Sequence, residues 1–512
     1  MQITAFLNEL EQNHVPFELQ GPVTAEIERL ESDSRTVSPG SMFFALSGEH
    51  FDGHDYIAQA VDAGAVAVMT EKPVKLEQDV CVIQVEDVRH AMAYVARAFY
   101  SHPQQDMFVA AVTGTNGKTT LTYMLESLLR MYGKNPAVVG TISNRIQSKV
   151  LESSHTTPDS LSLYKLLAEF KSCGADAVAL EVSSHALDQK RVQGLDFDLG
   201  VFTNLTPEHL DYHRDMEIYY TAKAQLFSAA AGYGCKRAVI NIADPYGERL
   251  AAEVPGALCV DPRVGVSSQA HVRVARATHS LDGIRAEILT PGGNVEICSP
   301  LIGPFNLENL CCAMGAGLAM GLSVQDVTVC LAQLPSVPGR LERVENTMGA
   351  LILVDYAHTS DALEKALEAV LALNPKRLIS VVGCGGDRDK TKRPLMAAAA
   401  VRASTQTLIT SDNPRTEDPN AIIQDMLTGL NDSEVQALSS VAVKQGQHGY
   451  CVIEDRATAL NLAVEVLEAG DVLLVAGKGH EDYQIIGTTK HHFDDREHLR
   501  DALNKRPALG CC

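Results

Sequence analysis

Met107-Phe108-Val109-Ala110-Ala111-Val112 runs through Thr113-Gly114-Thr115-Asn116-Gly117-Lys118-Thr119-Thr120 into Leu121-Thr122-Tyr123-Met124-Leu125-Glu126-Ser127-Leu128-Leu129-Arg130-Met131-Tyr132-Gly133. The first part is an unbroken apolar run of strand length. The last part carries apolar residues at helical spacing and stops at a glycine. Between them, glycines let the backbone curl so that its N–H groups, from Gly114 through Gly117, face an anion at a helix N-terminus. In such a loop Lys118 reaches the β- and γ-phosphates of ATP, the Thr119 hydroxyl binds Mg²⁺, and Thr120 follows in the first turn. The spacing departs from the full phosphate-loop pattern, because Val112 rather than glycine stands five residues before Gly117.

Working outward, apolar runs recur at 136–140, 177–182, 198–202 and 237–241 with helical segments between them. Strands alternating with helices predict a mostly parallel sheet in a domain spanning 106–335. Residues 271–300 read as short strands around a Pro-Gly-Gly turn, an antiparallel flap, and 306–334 as helix-rich. Upstream, 1–105 alternates short apolar runs with helical stretches at 55–64 and 86–100, a small α/β unit, and Ser101 to Gln105 reads as a hinge. Downstream, 336–344 (SVPGRLERV) resembles a linker, and strand-like runs at 350–354, 377–382, 406–410, 450–453 and 471–475 predict a third α/β domain, 336–512.

Composition agrees. A chain of 512 residues fits roughly three domains, and 46% apolar residues suffice for sizeable cores. No apolar run approaches the roughly 18 residues of a membrane span, and the N-terminus lacks the features of a signal peptide. A formal charge of −21 argues against a nucleic-acid partner. The 12 cysteines are dispersed, with no CxxC pair, so reduced thiols in the cytoplasm are expected; Cys511-Cys512 reads as a frayed tail rather than a lipidation signal.

A phosphate site needs charge neutralisation. Glu181 follows the run 176–180, which places its carboxylate at the carboxyl end of the sheet, where open α/β folds bind ligands. His209 and His213 flank Asp211 just after another strand, and one of them is a candidate metal ligand. By residue type alone Lys223 is a solvated helical lysine. In the last domain three clusters follow strands: Gly383 to Lys390, Ser411-Asp412-Asn413-Pro414-Arg415, and Gly477-Lys478-Gly479-His480-Glu481. Their convergence suggests a site for a zwitterion, with Arg for a carboxylate and Glu for an ammonium.

Taken together, these motifs resemble the Mur ligases, the ATP-dependent amide-forming enzymes of peptidoglycan synthesis, over nearly the whole chain. The resemblance is to the type that adds the third peptide residue. It implies an N-terminal UDP-sugar domain, a central ATPase, and a C-terminal amino-acid domain of dinucleotide-fold type. It assigns Ser34 of Asp33-Ser34-Arg35, with Glu49, His50 and Phe51, to the UDP moiety. Thr156, Thr157, Ser183, Gln189 and Arg191 fall to the muramoyl dipeptide. The shortened Gly-Thr-Asn-Gly-Lys-Thr loop is the family's own, and Asn309, Arg340, Asp355 and His358 match its other ATP segments.

The resemblance also makes Glu181 and His209 metal ligands beside Thr119, with two Mg²⁺ ions expected, and aligns Lys223 with the lysine that CO₂ carbamylates. Asp412, Asn413, Pro414, Arg415, Arg388, Gly477 and Glu481 match the amino-acid site. The Asp-Asn-Pro-Arg form goes with meso-diaminopimelate, whose second carboxylate Arg415 can grip bidentately. Two buried arginines, 415 and 388, are expected to exclude lysine by leaving a charge unpaired. The implied reaction joins meso-diaminopimelate to UDP-N-acetylmuramoyl-L-alanyl-D-glutamate through an acyl phosphate, with a monomeric enzyme and domain closure around the substrates. Rival readings are the lysine-adding form, the D-Ala-D-Ala-adding or folate-polyglutamylating ligases, and a phosphate-loop NTPase without ligase activity.

Overall fold

The structure, a computed structural model, describes residues 1–48, 51–153, 155–431 and 434–506. Glu49, His50 and Cys511-Cys512 therefore lie outside the described residues. The chain divides into two compact units: 1–274 with 289–295 and 308–330, and 275–288 with 296–307 and 331–512.

In the first unit, β1 (Phe17–Gln20), β2 (Arg29–Glu31), β3 (Ser41–Phe44), β4 (Ala65–Thr70) and β5 (Cys81–Val85) form a sheet in the order β1-β5-β4-β3-β2. Strands β2 to β5 are parallel and β1 is antiparallel. Asp33-Ser34-Arg35 and the segment 45–48 thus follow the carboxyl ends of neighbouring strands, β2 and β3. Helices Ile3–Gln12 and Val88–Phe99 pack together, tied by Arg97 Nε donating to Glu9 Oε1 at 2.9 Å. The expected hinge is a tight turn. Ser101, His102 and Asp106 take φ of 59°, 51° and 69°, and the His102 N–H returns to the Arg97 carbonyl.

An eleven-stranded sheet follows: β6 (Phe108–Thr113), β7 (Pro136–Val139), β8 (Asn144–Ile146), β9 (Lys149–Leu151), β10 (Ala177–Glu181), β11 (Leu199–Phe202), β12 (Ala238–Asn241), β13 (Leu258–Asp261), β14 (Val272–Ser280), β15 (Gly283–Thr290) and β16 (Gly293–Ser299). Its order is β16-β15-β14-β13-β12-β11-β6-β10-β7-β8-β9. Every residue of β6, β10 and β11 is buried, as expected for parallel strands covered on both faces. β6 lies between β10 and β11 in parallel register, so the glycine loop, Glu181 and the 203–213 loop leave the sheet side by side. The expected flap at 271–300 differs. Its strands run to 9, 8 and 7 residues, and β14 continues the main sheet by parallel pairing of Val260 with Val272.

In the second unit, β17 (Glu342–Arg343), β18 (Leu351–Asp355), β19 (Leu378–Val382), β20 (Gln406–Ile409), β21 (Gly449–Val452) and β22 (Val472–Ala476) take the order β17-β18-β22-β19-β20-β21, parallel except for β17. The 336–344 segment is therefore more than a linker, since it supplies the edge strand. A hairpin of β23 (Tyr483–Ile486) and β24 (Thr489–His492) follows, with no counterpart in the sequence reading. Buried apolar clusters cover both faces of the sheet. The three motif loops all follow its strands.

Candidate active site

Helix Lys118–Met131 starts at Gly117, φ 88°, with no side-chain cap. Its first-turn N–H groups lack intrahelical acceptors, the usual basis of an anion site. A Cβ on Gly114 would lie 1.9 Å from Thr203 Oγ1, and one on Gly117 2.3 Å from Asn309 Oδ1, so both positions exclude larger residues. The loop is strapped down from the 203–206 segment. Thr115 N–H donates to the Asn204 carbonyl (2.8 Å), Asn116 N–H to Asn204 Oδ1 (3.0 Å), and the Thr203 hydroxyl to the Asn116 carbonyl (2.6 Å). Lys118 Nζ donates to the carbonyls of Gly114 (3.0 Å) and Thr115 (2.8 Å).

Lys223 is not the solvated lysine its residue type suggests. It is 1% exposed, and its Nζ donates to the same Gly114 carbonyl at 2.8 Å, above the Tyr219 ring. Burial, and then the Lys118 charge, hold its pKa well below the ordinary lysine value.

Glu181 is 1% exposed and takes three donors: the Thr119 hydroxyl on Oε2 and the Thr141 hydroxyl and N–H, all at 3.0 Å. A Cβ on Gly140 would meet Glu181 Oε1 at 2.3 Å. Thr119 Oγ1 and Glu181 Oε2 thus stand at about the separation of neighbouring oxygens around an octahedral Mg²⁺, roughly 2.9 Å. The donor set is hard oxygen and fits that ion. Among the described residues no three His, Cys, Asp or Glu form a ready-made metal cluster. Of the two histidines, His213 is buried with Nε2 2.9 Å from Ser184 Oγ, a structural contact. His209, at φ 56°, is partly exposed and packs edge-on to His185. Burial first, then its histidine neighbours, drive His185 down to about 4.

The residues expected to meet the dipeptide form one network. Thr157 Oγ1 donates to the Glu181 carbonyl (2.8 Å) and accepts Ser183 N–H (3.1 Å), while Ser183 Oγ caps the following helix through Ala186 N–H (3.2 Å). Arg191 donates to Gln189 Oε1 and to the Thr157 carbonyl, both at 2.8 Å, and Thr156 Oγ1 lies 3.0 Å from Thr141 Oγ1. Thr141 and Gly140, which bring Glu181 and Thr156 together, follow β7 in a stretch with no charged or glycine-rich signature. On the N-terminal sheet, Ser34 sits between an Asp33–Arg35 ion pair of 2.6 Å, and Phe51 is 73% exposed. A cavity of about 490 Å³ opens beside Asp33, lined also by Tyr100, Asp159 and Lys165.

In the second unit, Asp355 is buried and accepts N–H groups of Leu341 (2.7 Å) and Ala357 (2.8 Å). It shapes the turn carrying Arg340, which lies 5.5 Å from the Tyr356 ring centre. His358 is exposed, with Nδ1 2.8 Å from the Tyr356 carbonyl. Asp412 is buried against Gly477, where a Cβ would come within 2.7 Å of Asp412 Oδ2. Asn413 Nδ2 donates to Glu481 Oε2 at 2.8 Å. Burial and the Asp412 charge raise the Glu481 pKa, opposed by Lys478. Arg415 Nη1 donates to the Gly386 carbonyl at 2.8 Å.

The expectation of two buried ligand arginines needs correcting. Arg415 is half-buried, and Arg388 is exposed, donating only to its own loop at the Asp387 carbonyl. The arginines that are fully buried hold the framework instead. Arg393 pairs with Glu417 and Asp425 at 2.8 Å, and Arg456 with Asp495 at 2.7 Å. Lys478, also fully buried, lies 3.6 Å from Glu481 and 4.0 Å from Asp412 and donates to the Tyr483 carbonyl. The sequence reading gave these three no role, because a lone basic residue in a helix or loop reads as solvated.

Three family models match the chain: "Mur ligase family, catalytic domain" over 26–100, "Mur ligase middle domain" over 112–317 and "Mur ligase, glutamate ligase domain" over 339–479. The chain is 47% identical over 503 residues to the UDP-N-acetylmuramoyl-L-alanyl-D-glutamate--2,6-diaminopimelate ligase of Geobacter metallireducens, covering 97% of this chain and 98% of that one. It is 40% identical to the protein of that name from Lactiplantibacillus plantarum, over 99% and 100% of the two chains. A solved structure of an enzyme with that name is 33% identical, with a TM-score of 0.69 over 98% and 99% of the two chains. A MurF ligase from Thermotoga maritima in complex with ADP shares the fold, with a TM-score of 0.56 at 19% identity over 93% and 97%. With its glycine loop, buried Glu181 carboxylate and three matched domains, the chain belongs to the Mur ligase family of ATP-dependent amide ligases.

Proposed function

We propose that this chain joins meso-diaminopimelate to the D-glutamate carboxylate of UDP-N-acetylmuramoyl-L-alanyl-D-glutamate at the expense of ATP, as a cytoplasmic monomer. The observation that carries the reading is the tie between Asn413 and Glu481 in the loop that also presents Arg415, a cation and an anion on one rigid piece. A diaminopimelate end, with one ammonium and one carboxylate, is complementary to that pair. The names of relatives at 40–47% identity support the same substrate. Residues 1–105 hold the UDP-sugar, 106–335 ATP and 336–512 the amino acid.

In the reaction a D-glutamate oxygen attacks the γ-phosphorus of ATP and ADP leaves, giving an acyl phosphate. The free amine of diaminopimelate then attacks the acyl carbon, and phosphate departs from the tetrahedral intermediate with loss of a proton. Lys118 and the loop N–H groups oppose the charge on the transferring phosphoryl group. Thr119, Glu181 and His209 would hold Mg²⁺, which supplies charge neutralisation when bound. Burial disfavours the charged form of Lys223, and in its uncharged form its nitrogen can bond to the carbon of CO₂ with release of a proton. The resulting carbamate would turn a cation into a further oxygen ligand. Arg191, Thr157 and Ser183 orient the dipeptide.

The test measures phosphate release with the UDP-muramoyl dipeptide, ATP and either meso-diaminopimelate or L-lysine. Faster turnover with lysine overturns the substrate assignment, and ATP turnover that needs no amino acid favours the plain NTPase. With Arg388 exposed, selectivity rests chiefly on Arg415.

A further inference from the structure

The hairpin β23–β24 has no role in the chemistry above, yet its first strand is bound along the whole Asp412 to Arg415 segment. Arg415 N–H donates to the Ile485 carbonyl at 3.0 Å, and the Arg415 carbonyl accepts the Gly487 N–H at 2.7 Å. The two segments pair in parallel at Arg415 and Ile486. Side chains extend the contact: Gln484 Nε2 donates to the Asp412 carbonyl (2.6 Å), and Ile485 N–H to Asn413 Oδ1 (2.9 Å). Arg415 itself takes φ 52°, an unfavourable conformation for a side-chain-bearing residue that persists only when its surroundings impose it.

Asn413 uses both ends of its amide. Its oxygen accepts from the hairpin and one of its N–H groups donates to Glu481, so the side chain ties the two together. Glu481 stands two residues before the first strand of the same hairpin. The cationic Arg415 and the anionic Glu481 are thereby fixed to one another through a single short segment, 481–487.

We infer that this hairpin is a specificity-determining support: it sets the spacing between Arg415 and Glu481, and so measures the distal ammonium and carboxylate of the acceptor amino acid. Asn413, Gln484 and Ile485 are positioning residues in this scheme. The inference rests on the diaminopimelate reading above and deepens it. A support of this kind acts on acceptor recognition and leaves the nucleotide steps alone.

The experiment compares the wild type with Gln484→Ala and Ile485→Pro, the second removing the N–H that Asn413 accepts. KM for meso-diaminopimelate, KM for ATP, and the ratio of kcat/KM for meso-diaminopimelate over L-lysine are measured in the full chain, after circular dichroism shows native folding. Each folded variant is expected to raise the diaminopimelate KM about fivefold or more, the weight of one net hydrogen bond, and to narrow the selectivity ratio while the ATP KM stays within about twofold. If Ile485→Pro does not fold, Gln484→Ala carries the test. Unchanged diaminopimelate KM and selectivity in the folded variants overturn the support role and leave the ligase reading standing. A wild type that uses lysine better than diaminopimelate overturns the substrate reading itself.

Discussion

The glycine-loop region and the Asp412–Arg415 region are both built where strands of a parallel sheet end, but they treat their basic side chains differently. In the first, Lys118 and Lys223 both donate to the backbone carbonyl of Gly114. In the second, Arg393, Arg456 and Lys478 each lie against carboxylates. In the first, burial disfavours the charged form of Lys223 and so limits the charge gathered there. The second is compensated in advance, which suits a site that must hold two ligand groups at a set distance.

The comparison can be broken most directly at Lys118. Lys118→Met is expected to cut kcat by about 10³ or more, because a charge aimed at the transferring phosphoryl group is lost. Phosphate release within tenfold of the wild type would remove that lysine from the chemistry. On the other side, Arg456→Met leaves Asp495 buried without its partner, and both residues are 0% exposed. Urea unfolding should show a loss of about 3–5 kcal/mol.

Lys223 sharpens the contrast because activity and stability should move apart. Lys223→Met is expected to lower kcat about 10²-fold, with partial recovery on adding short carboxylic acids, yet not to lower the Tm. The sign follows from linkage. The Lys223 pKa is depressed in the folded state, so below the unfolded value of 10.5 the unfolded chain binds more protons and the wild-type residue opposes folding. The stability gap between variant and wild type should therefore shrink as pH rises toward 10.5. The smallest effect is expected from Gly140→Ala, whose Cβ would enter the space of Glu181 Oε1. A shift of about tenfold in the Mg²⁺ concentration for half-maximal activity would mark that carboxylate as the metal ligand, and no shift would separate it from the metal.

The glycine loop was legible because strand, loop and helix lie within one short stretch, and the physics of its N–H groups is local. The sheet of the central domain was legible for a similar reason, since strands buried on both faces are written as unbroken apolar runs. Lys223 was not, because a helical lysine reads as solvated until the packing of Tyr219 and the 114–118 loop around it is known. Strands such as β8 and β17 are two or three residues long and carry no period to detect. The hairpin β23–β24 escaped because all four residues of β24 are exposed, so the strand lacks the alternation that marks a half-buried one.

By itself, then, the sequence determined the three α/β domains, the glycine loop between strand and helix, and the charged clusters that follow strands, since each depends on neighbours in the chain. Only the tertiary structure decided which cations are buried, that His213 is structural while His209 stays partly exposed, that Arg388 faces solvent, and that Arg415 is held by a hairpin. Burial and partner choice depend on segments tens of residues apart, such as Gln484 and Asp412, which are separated by 72 positions. A residue's charge is written in its own side chain, but what that charge can do is set by the groups folding brings beside it.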